Sequence, residues 1–346
     1  MKEVAEKAGV SVMSVSRALR NQRGVSPETR RHILETARDL GYRPNPLVRA
    51  LMASRRGTRV KESVRTIAFI TSHSKPRHWR DYPTPLAFYE GAKERAERLG
   101  FRLQDFWLND EKMPGLRLSQ VLWARGIRGA ILCPHPHPNS SIELRWEHLA
   151  VVALGYSFPK PEFHRATNHQ LHTILRAVTE LESRGYRSIG LTVETHFDAR
   201  VDHNWSSGFL GYQHRIPQEY RIPPLISPKL ERKCVQEWIK YHRPEAVIGG
   251  VPLEWLQETG IAIPEELGFV RLGYHSSMGD IAAVDQNLEA VGGAATDLVV
   301  EQLHRNETGL PKIPKVVMVE GRWQDGWTVG QRLGMGREAR KGALEL

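Results

Sequence analysis

Short apolar runs and helix-sized segments alternate through most of this chain, and that alternation limits the fold more than any other feature. "TIAFIT" (66–71) precedes a helical stretch around "LAFYEGAKERAERLG". "FRLQDFWL" leads into a helix ending "SQVLWARG", and "GAILCP" and "LAVVAL" continue the series. After "HQLHTILRAVTELESRGY" the pattern resumes with "SIGLTV", "AVIGG", "LGFVRL" and "AAVDQN". Strand–helix alternation of this length predicts an α/β fold of parallel sheets with right-handed crossovers. Two such series predict two lobes with a cleft between them. In open α/β sheets ligands lie at the carboxyl ends of the strands, which makes the cleft the place to look for chemistry.

The 346 residues suffice for two or three domains and a substantial core. The net charge of +10 says less than its location. Residues 1–65 hold 15 Lys/Arg against 6 Asp/Glu, whereas the remaining residues hold 34 against 33. A small basic module attached to a neutral body is the pattern of a protein that meets a polyanion. Cys133 and Cys234 are isolated, without CxxC pairing, as in a reduced cytoplasmic protein. No apolar run approaches the roughly 18 residues of a membrane span, and no apolar leader opens the chain.

The basic module has its own logic. Lys2 to Ala8 reads as a short helix with Val4, Ala5 and Ala8 inward, and Gly9 can take the positive φ that ends it. Val10 fits the elbow and Ser11 can cap a second helix running to about Leu19. Val15, Ala18 and Leu19 share one face of that helix, and Val12, Met13, Ser16 and Arg17 the other. This is a helix-turn-helix, whose second helix enters a DNA major groove. A third helix follows, capped by Ser26, opened by Pro27 and ended by Gly41, with Ile33, Leu34, Ala37 and Leu40 toward the core. In "GYRPNPLVRALMASRRGTR", Leu47 to Met52 is too short a helix to stand alone in water, and its arginines point to DNA as the surface it forms on.

"VAEKAGVS…SVSRAL", "VSPETRRHILETARDLGYRPN" and the "LVRAL" segment resemble, in order and spacing, the DNA-binding region of the LacI/GalR family of bacterial transcriptional regulators. "RGIRGAIL", "SRGYRSIGL" and "GRWQDGWTVG" are similar to marks of its periplasmic-binding-protein-like effector domain. The resemblance implies a helix-turn-helix domain at 1–43, a hinge helix and linker at 44–62, a two-lobed effector-binding and dimerisation domain at 63–332, and a tail at 333–346. It implies a homodimer on a near-palindromic double-stranded DNA operator, and a small-molecule effector that is expected to be a sugar or derivative. DNA contacts fall by motif position on Ser11, Val12, Met13, Ser14, Ser16, Arg17, Asn21, Tyr42, Asn45, Arg49 and Leu51, the last wedging a minor-groove base step. Val12 and Met13 are apolar and suited to thymine methyl groups. The family usually carries a Thr or Ser just before the first helix, whereas Met1 here occupies a position already inside the motif.

The cleft departs from the family pattern. "SHSKPRHWRDYPTP" replaces the usual loop after the first strand, Trp205 stands where an Arg is common, and His275 replaces a sugar-binding Asp. Trp79, Arg200, His203, Asn204, Trp205 and His275 are the effector-binding candidates. The chain is expected to cross between lobes near 157–165, 284–289 and 310–316. "CPHPHP" offers His135 and His137, but the prolines hold them apart and no third ligand is near, so a loop at a strand end is expected and no metal site. No catalytic motif of the GxSxG, P-loop, GxGxxG or HExxH type occurs, so neither catalytic residues nor a cofactor are implied. The alternative is an enzyme on a small carbohydrate with an appended DNA-binding domain. The tail has only Leu344 and Leu346 as large aliphatics, too few for a coiled coil, so pairing is expected near Tyr89–Ala96 and Asp285–Val291.

Overall fold

The computed structural model describes residues 2–19, 24–40, 65–109, 111–273 and 279–332. It divides into an N-terminal unit, Met1–Val64 with Val300–Thr308, and a body, Arg65–Val299 with Gly309–Leu346. The expected hinge helix and C-terminal tail lie outside the described residues.

The N-terminal unit packs α1 (Lys2–Lys7), α2 (Val12–Leu19) and α3 (Pro27–Asp39). Gly9 takes φ 63°, and the Val10 N–H donates to Ala5 O at 3.0 Å, so the turn is built as its glycine requires. Ser11 Oγ accepts the Ser14 N–H at 3.0 Å and Ser26 Oγ accepts the Thr29 N–H at 3.1 Å, capping α2 and α3. Val4, Ala5, Ala8, Val15, Ala18, Ile33 and Ala37 form the core, with Val10, Leu19, Val25 and Leu40 against it. Leu34, expected inside, is 42% exposed because it lies one residue round the helix from the Ile33–Ala37 stripe.

The body contains two parallel sheets. The first follows the order β11-β5-β4-β3-β1-β2. Its strands are β1 (Arg65–Thr71), β2 (Phe101–Trp107), β3 (Gly129–Leu132), β4 (Ala150–Leu154), β5 (His164–Asn168) and β11 (Val316–Val319). The helices between them are α4 (Pro83–Arg98) and α5 (Gly115–Ala124). The second sheet follows β7-β6-β8-β9, from β6 (Ile189–Glu194), β7 (Leu225–Ser227), β8 (Ala246–Gly249) and β9 (Gly268–Val270). It is preceded by α6 (Gln170–Ser183) and interleaved with α7 (Thr195–Arg200), α8 (Asn204–Arg215), α9 (Arg232–His242) and α10 (Leu253–Gln257). An antiparallel pair, β10 (Ala283–Asp285) with β12 (Arg322–Gln324), flanks the second lobe, and α11 (Leu288–Arg305) returns to the first.

Period-2 alternation carries the layering. Ala68 and Ile70 join Ala130, Leu132, Val151 and Ala153 in one core, while Phe69 faces the other side toward Tyr89 of α4. In the second lobe Ile189, Leu191, Ala246, Ile248 and Val270 face α6 and α8, and Val247 and Phe269 face α9 and α10. The first lobe closes where α4 crosses α11 at glycines: a Cβ on Gly91 would collide with Glu289 O, and one on Gly292 with Phe88 O.

Two of the three expected lobe crossings fall elsewhere. Residues 157–165 lead into β5, which pairs with β4 in the first sheet, so the chain crosses only after Asn168. Residues 310–316 lead into β11, which pairs with β5, so the last crossing lies between Val319 and Arg322. The middle one, between Asp285 and Leu288, is where it was expected. The face of α4 nominated for pairing between chains is consumed inside this one. Tyr89, Ala92 and Ala96 are buried, and Ala92 O accepts from Thr296 Oγ1 of α11.

Candidate functional site

In the N-terminal unit, α2 presents Val12 at 43% and Met13 at 64% exposure, with Ser16 and Arg17 on the same outward side. The Arg17 guanidinium lies beside Gly24, whose φ of 98° brings backbone close to it. Ser11 and Ser14 share a hydroxyl hydrogen bond at 2.9 Å at the start of the helix. The capped helix thus offers hydroxyls at its N-terminus, two apolar side chains on its outer surface and a cation toward its end, the groups that touch phosphates, thymine methyls and guanine edges. Asn21, Tyr42, Asn45, Arg49 and Leu51 lie outside the described residues.

In the body, the carboxyl ends of the first sheet carry Ser72 and His73 after β1, Cys133 and His135 after β3, and Gly155 and Tyr156 after β4. Arg200 ends α7 of the second lobe, and its charge acts on both His73 and Cys133. Asp202 acts likewise on Tyr156 and Arg165. The 200–202 segment therefore faces the first lobe's strand ends across the cleft. His73 is 8% exposed, and burial, then His78, Arg200 and His135, lower its pKa to about 4, so its imidazole is neutral near pH 7. Burial pushes the Cys133 thiol up, which keeps it protonated. Of these residues only Arg200 stood among the sequence candidates for the effector. The strand-end rule could have found the rest, since each follows a predicted strand directly.

The other candidates serve packing or local order. Trp79 has no exposed surface. Its ring lies between Phe69 and Tyr89, at 5.5 and 4.8 Å, with Arg80 over it, so it is closed to a ligand. The loop replacing the family's usual one folds back as a 3-10 turn (His78–Asp81) and uses its tryptophan as a core residue. His203 Nδ1 pairs with the buried Asp198 at 3.0 Å, and Asp198 also accepts from Ser206 N and Oγ, a network that sets the turn between α7 and α8. Asn204 Nδ2 donates to Val201 O in the same turn. Trp205 donates its indole N–H to Gln170 Oε1 at 2.8 Å, and Gln170 bonds Gln286. His275 lies outside the described residues. The "CPHPHP" segment is a loop knitted to the β4–β5 connection, where the His135 N–H donates to Ser157 Oγ and the Ser140 N–H to Ser157 O.

The crossings between lobes form a joint. The buried Asn168 side chain donates to Gln286 O and Val319 O, each at 3.1 Å, and accepts from Thr173 Oγ1 at 2.6 Å. Asn287 donates to Glu320 O at 2.7 Å, and His172 Nδ1 lies 2.9 Å from Glu320 Oε1. Among the described residues one group could hold a metal ion. His169, His172 and Glu320 bring a donor atom each within 4.8 Å of the others, and the two imidazoles stack at 3.6 Å.

Residues 1–45 match the model for bacterial regulatory proteins of the lacI family, and residues 178–324 match that for a periplasmic binding protein-like domain. The chain carries a lacI-family DNA-binding domain followed by a periplasmic binding protein-like domain. The chain is 20% identical over 324 residues to the HTH-type transcriptional repressor PurR of Escherichia coli, covering 88% of this chain and 90% of that one. Its fold is shared with a solved transcriptional regulator CelR–cellobiose complex, at TM-score 0.56 and 17% identity over 94% of this chain and 98% of the other. A lac repressor dimer bound to operator and the anti-inducer ONPF gives TM-score 0.54 at 17% identity and the same coverage. These two domains and the PurR match support a DNA-binding transcriptional regulator with a small-molecule effector. No helix among the described residues is long and apolar enough to cross a membrane.

Proposed function

We propose that this chain is a repressor, bound as a homodimer to a near-palindromic operator and released or tightened by a sugar or sugar derivative in the inter-lobe cleft. The observation that carries the DNA half is the outward side of α2: Val12, Met13, Ser16 and Arg17 stand on a capped helix in a module holding nearly all the excess positive charge. In this reading residues 1–43 read the major groove and 44–62 provide the hinge, where Arg49 and Leu51 meet the minor groove. Residues 63–332 bind effector and partner. The repressor role is supported by PurR, and the dimer by the lac repressor complex on its operator. A sugar is supported by the CelR–cellobiose complex.

Selection of duplexes from a random pool, followed by fluorescence anisotropy, tests this. A palindromic consensus should emerge. Arg17→Ala should weaken operator binding by about 1–3 kcal/mol and relax discrimination at one base position per half-site. Equal affinity for every duplex would refute the regulator, and turnover of a carbohydrate by the purified chain would favour the enzyme alternative.

A further inference from the structure

Burial penalises the guanidinium charge of four arginines in the body: Arg128, Arg165, Arg200 and Arg271. Three of them are compensated. Arg128 donates to Ile127 O at 3.0 Å and lies 3.8 Å over the Trp123 ring. Arg165 donates to the carbonyls of Gly155 and Phe158, with Asp202 and Glu162 acting on it. Arg271 has a sealed Nε without a partner among the described residues, but its Nη2 reaches Val251 O at 3.5 Å and Glu254 acts on its charge. Arg200 has neither kind of help. Among the described residues nothing accepts a hydrogen bond from its Nε, which is sealed from solvent, and no carboxylate acts on its charge.

Its surroundings repeat the pattern. His73, across the cleft, has its Nδ1 sealed and without a partner among the described residues, and the charged groups acting on it are His78, Arg200 and His135. The acidic side chains nearest Arg200 in sequence are engaged elsewhere. Asp198 holds His203 and Ser206, and Asp202 acts on Arg165 and Tyr156. A desolvated cation without a counter-ion is costly, and the carboxyl end of a parallel sheet is where a bound molecule can supply one.

We infer that the effector is an anion of sugar size, bearing a carboxylate or a phosphate, and that Arg200 supplies its counter-charge. This rests on the reading that the effector occupies the cleft. A guanidinium suits either group, because its planar fork can give two parallel hydrogen bonds to a pair of oxygens. His73 and His135 border the same space with groups able to donate to further oxygens of the ligand. A neutral sugar could accept hydrogen bonds from Arg200 but would supply no counter-charge.

The test uses the full chain and two substitutions of equal charge, Arg200→Met in the cleft and Arg98→Gln on the exposed face of α4. Without ligand, Arg200→Met should melt at or above the wild-type temperature, since it removes a partly buried charge that has no counter-ion among the described residues. Melting well below it would mean that Arg200 is already paired, and would overturn the inference. At constant ionic strength, inorganic phosphate should raise the melting temperature of the wild type and of Arg98→Gln but not of Arg200→Met. No phosphate effect in the wild type, or an equal one in Arg200→Met, would overturn it too. Calorimetry with glucose, glucuronate and glucose 6-phosphate, and with the galactose series, then compares matched ligands. An anionic member should bind at least tenfold more tightly than its neutral parent, and the uronate and phosphate arms identify the group. A neutral parent that binds as tightly refutes the anion and leaves the sugar reading intact. A phosphate effect with no sugar bound upholds the anion and removes the sugar.

Discussion

His73 shows how one residue reports on the cleft. It is an imidazole kept neutral by burial and by three basic neighbours, with its pKa near 4 in place of 6.5. Between those two pH values the unfolded chain binds a proton at this residue that the folded chain refuses. Its contribution to stability is therefore fully present above pH 6.5, falls as the pH drops toward 4, and is flat below. Between pH 7.5 and 5 only the part of this shift above pH 5 acts, so about 1–2 kcal/mol is expected. Urea denaturation at pH 7.5 and pH 5 checks it: His73→Asn should lose less stability than the wild type by that amount, and equal losses would refute it. Residue roles were the least legible part of the sequence. Trp79 stood among the effector-binding candidates because nothing local reveals that the 3-10 turn folds it against Tyr89. His203 and Asn204 resembled ligand groups, yet they order a turn whose residues Asp202 and His203 both have positive φ. Arg200 was legible as a cation near the cleft, but its lack of a partner is a property of three-dimensional packing.

At the scale of elements the sequence was far more informative. Gly9, Ser11, Ser26 and Pro27 do what their chemistry predicts, and every apolar run quoted from the body became a strand. Local chemistry sets those outcomes, whereas sheet membership does not follow from it. β5 and β11 join the first sheet only because each pairs with a distant strand, and that moved two of the three crossings. The joint they create hangs on Asn168, whose carboxamide holds the carbonyls of Gln286 and Val319 and the hydroxyl of Thr173 while 1% exposed. Asn168→Ala would leave those two carbonyls and the hydroxyl short of partners, at a cost of about 2–4 kcal/mol. A drop of that size in urea stability is expected, and a change below about 0.5 kcal/mol would mean that the joint bears no strain.

For the whole molecule, charge is partitioned by domain. The first 65 residues carry a net +9 and the remaining residues +1, so long-range attraction to a polyanion belongs to one end of the chain. That much was legible from composition, because net charge depends on neither packing nor register. Phosphate neutralisation releases counterions, so the logarithm of operator affinity should fall linearly with the logarithm of salt concentration. With roughly 6–10 phosphates neutralised, between about 50 and 200 mM salt the loss should reach 10³–10⁵-fold. The effector obeys a different rule. If its counter-charge is Arg200, the pair lies within the cleft and is screened much less than surface charges are. Effector affinity should therefore change by less than about tenfold over the same range. Anisotropy with labelled operator and calorimetry with the effector, run in the same buffers, measure the two slopes. A shallow operator slope would place the DNA contacts outside the basic module, and an effector slope as steep as the operator's would put the ligand on an exposed surface.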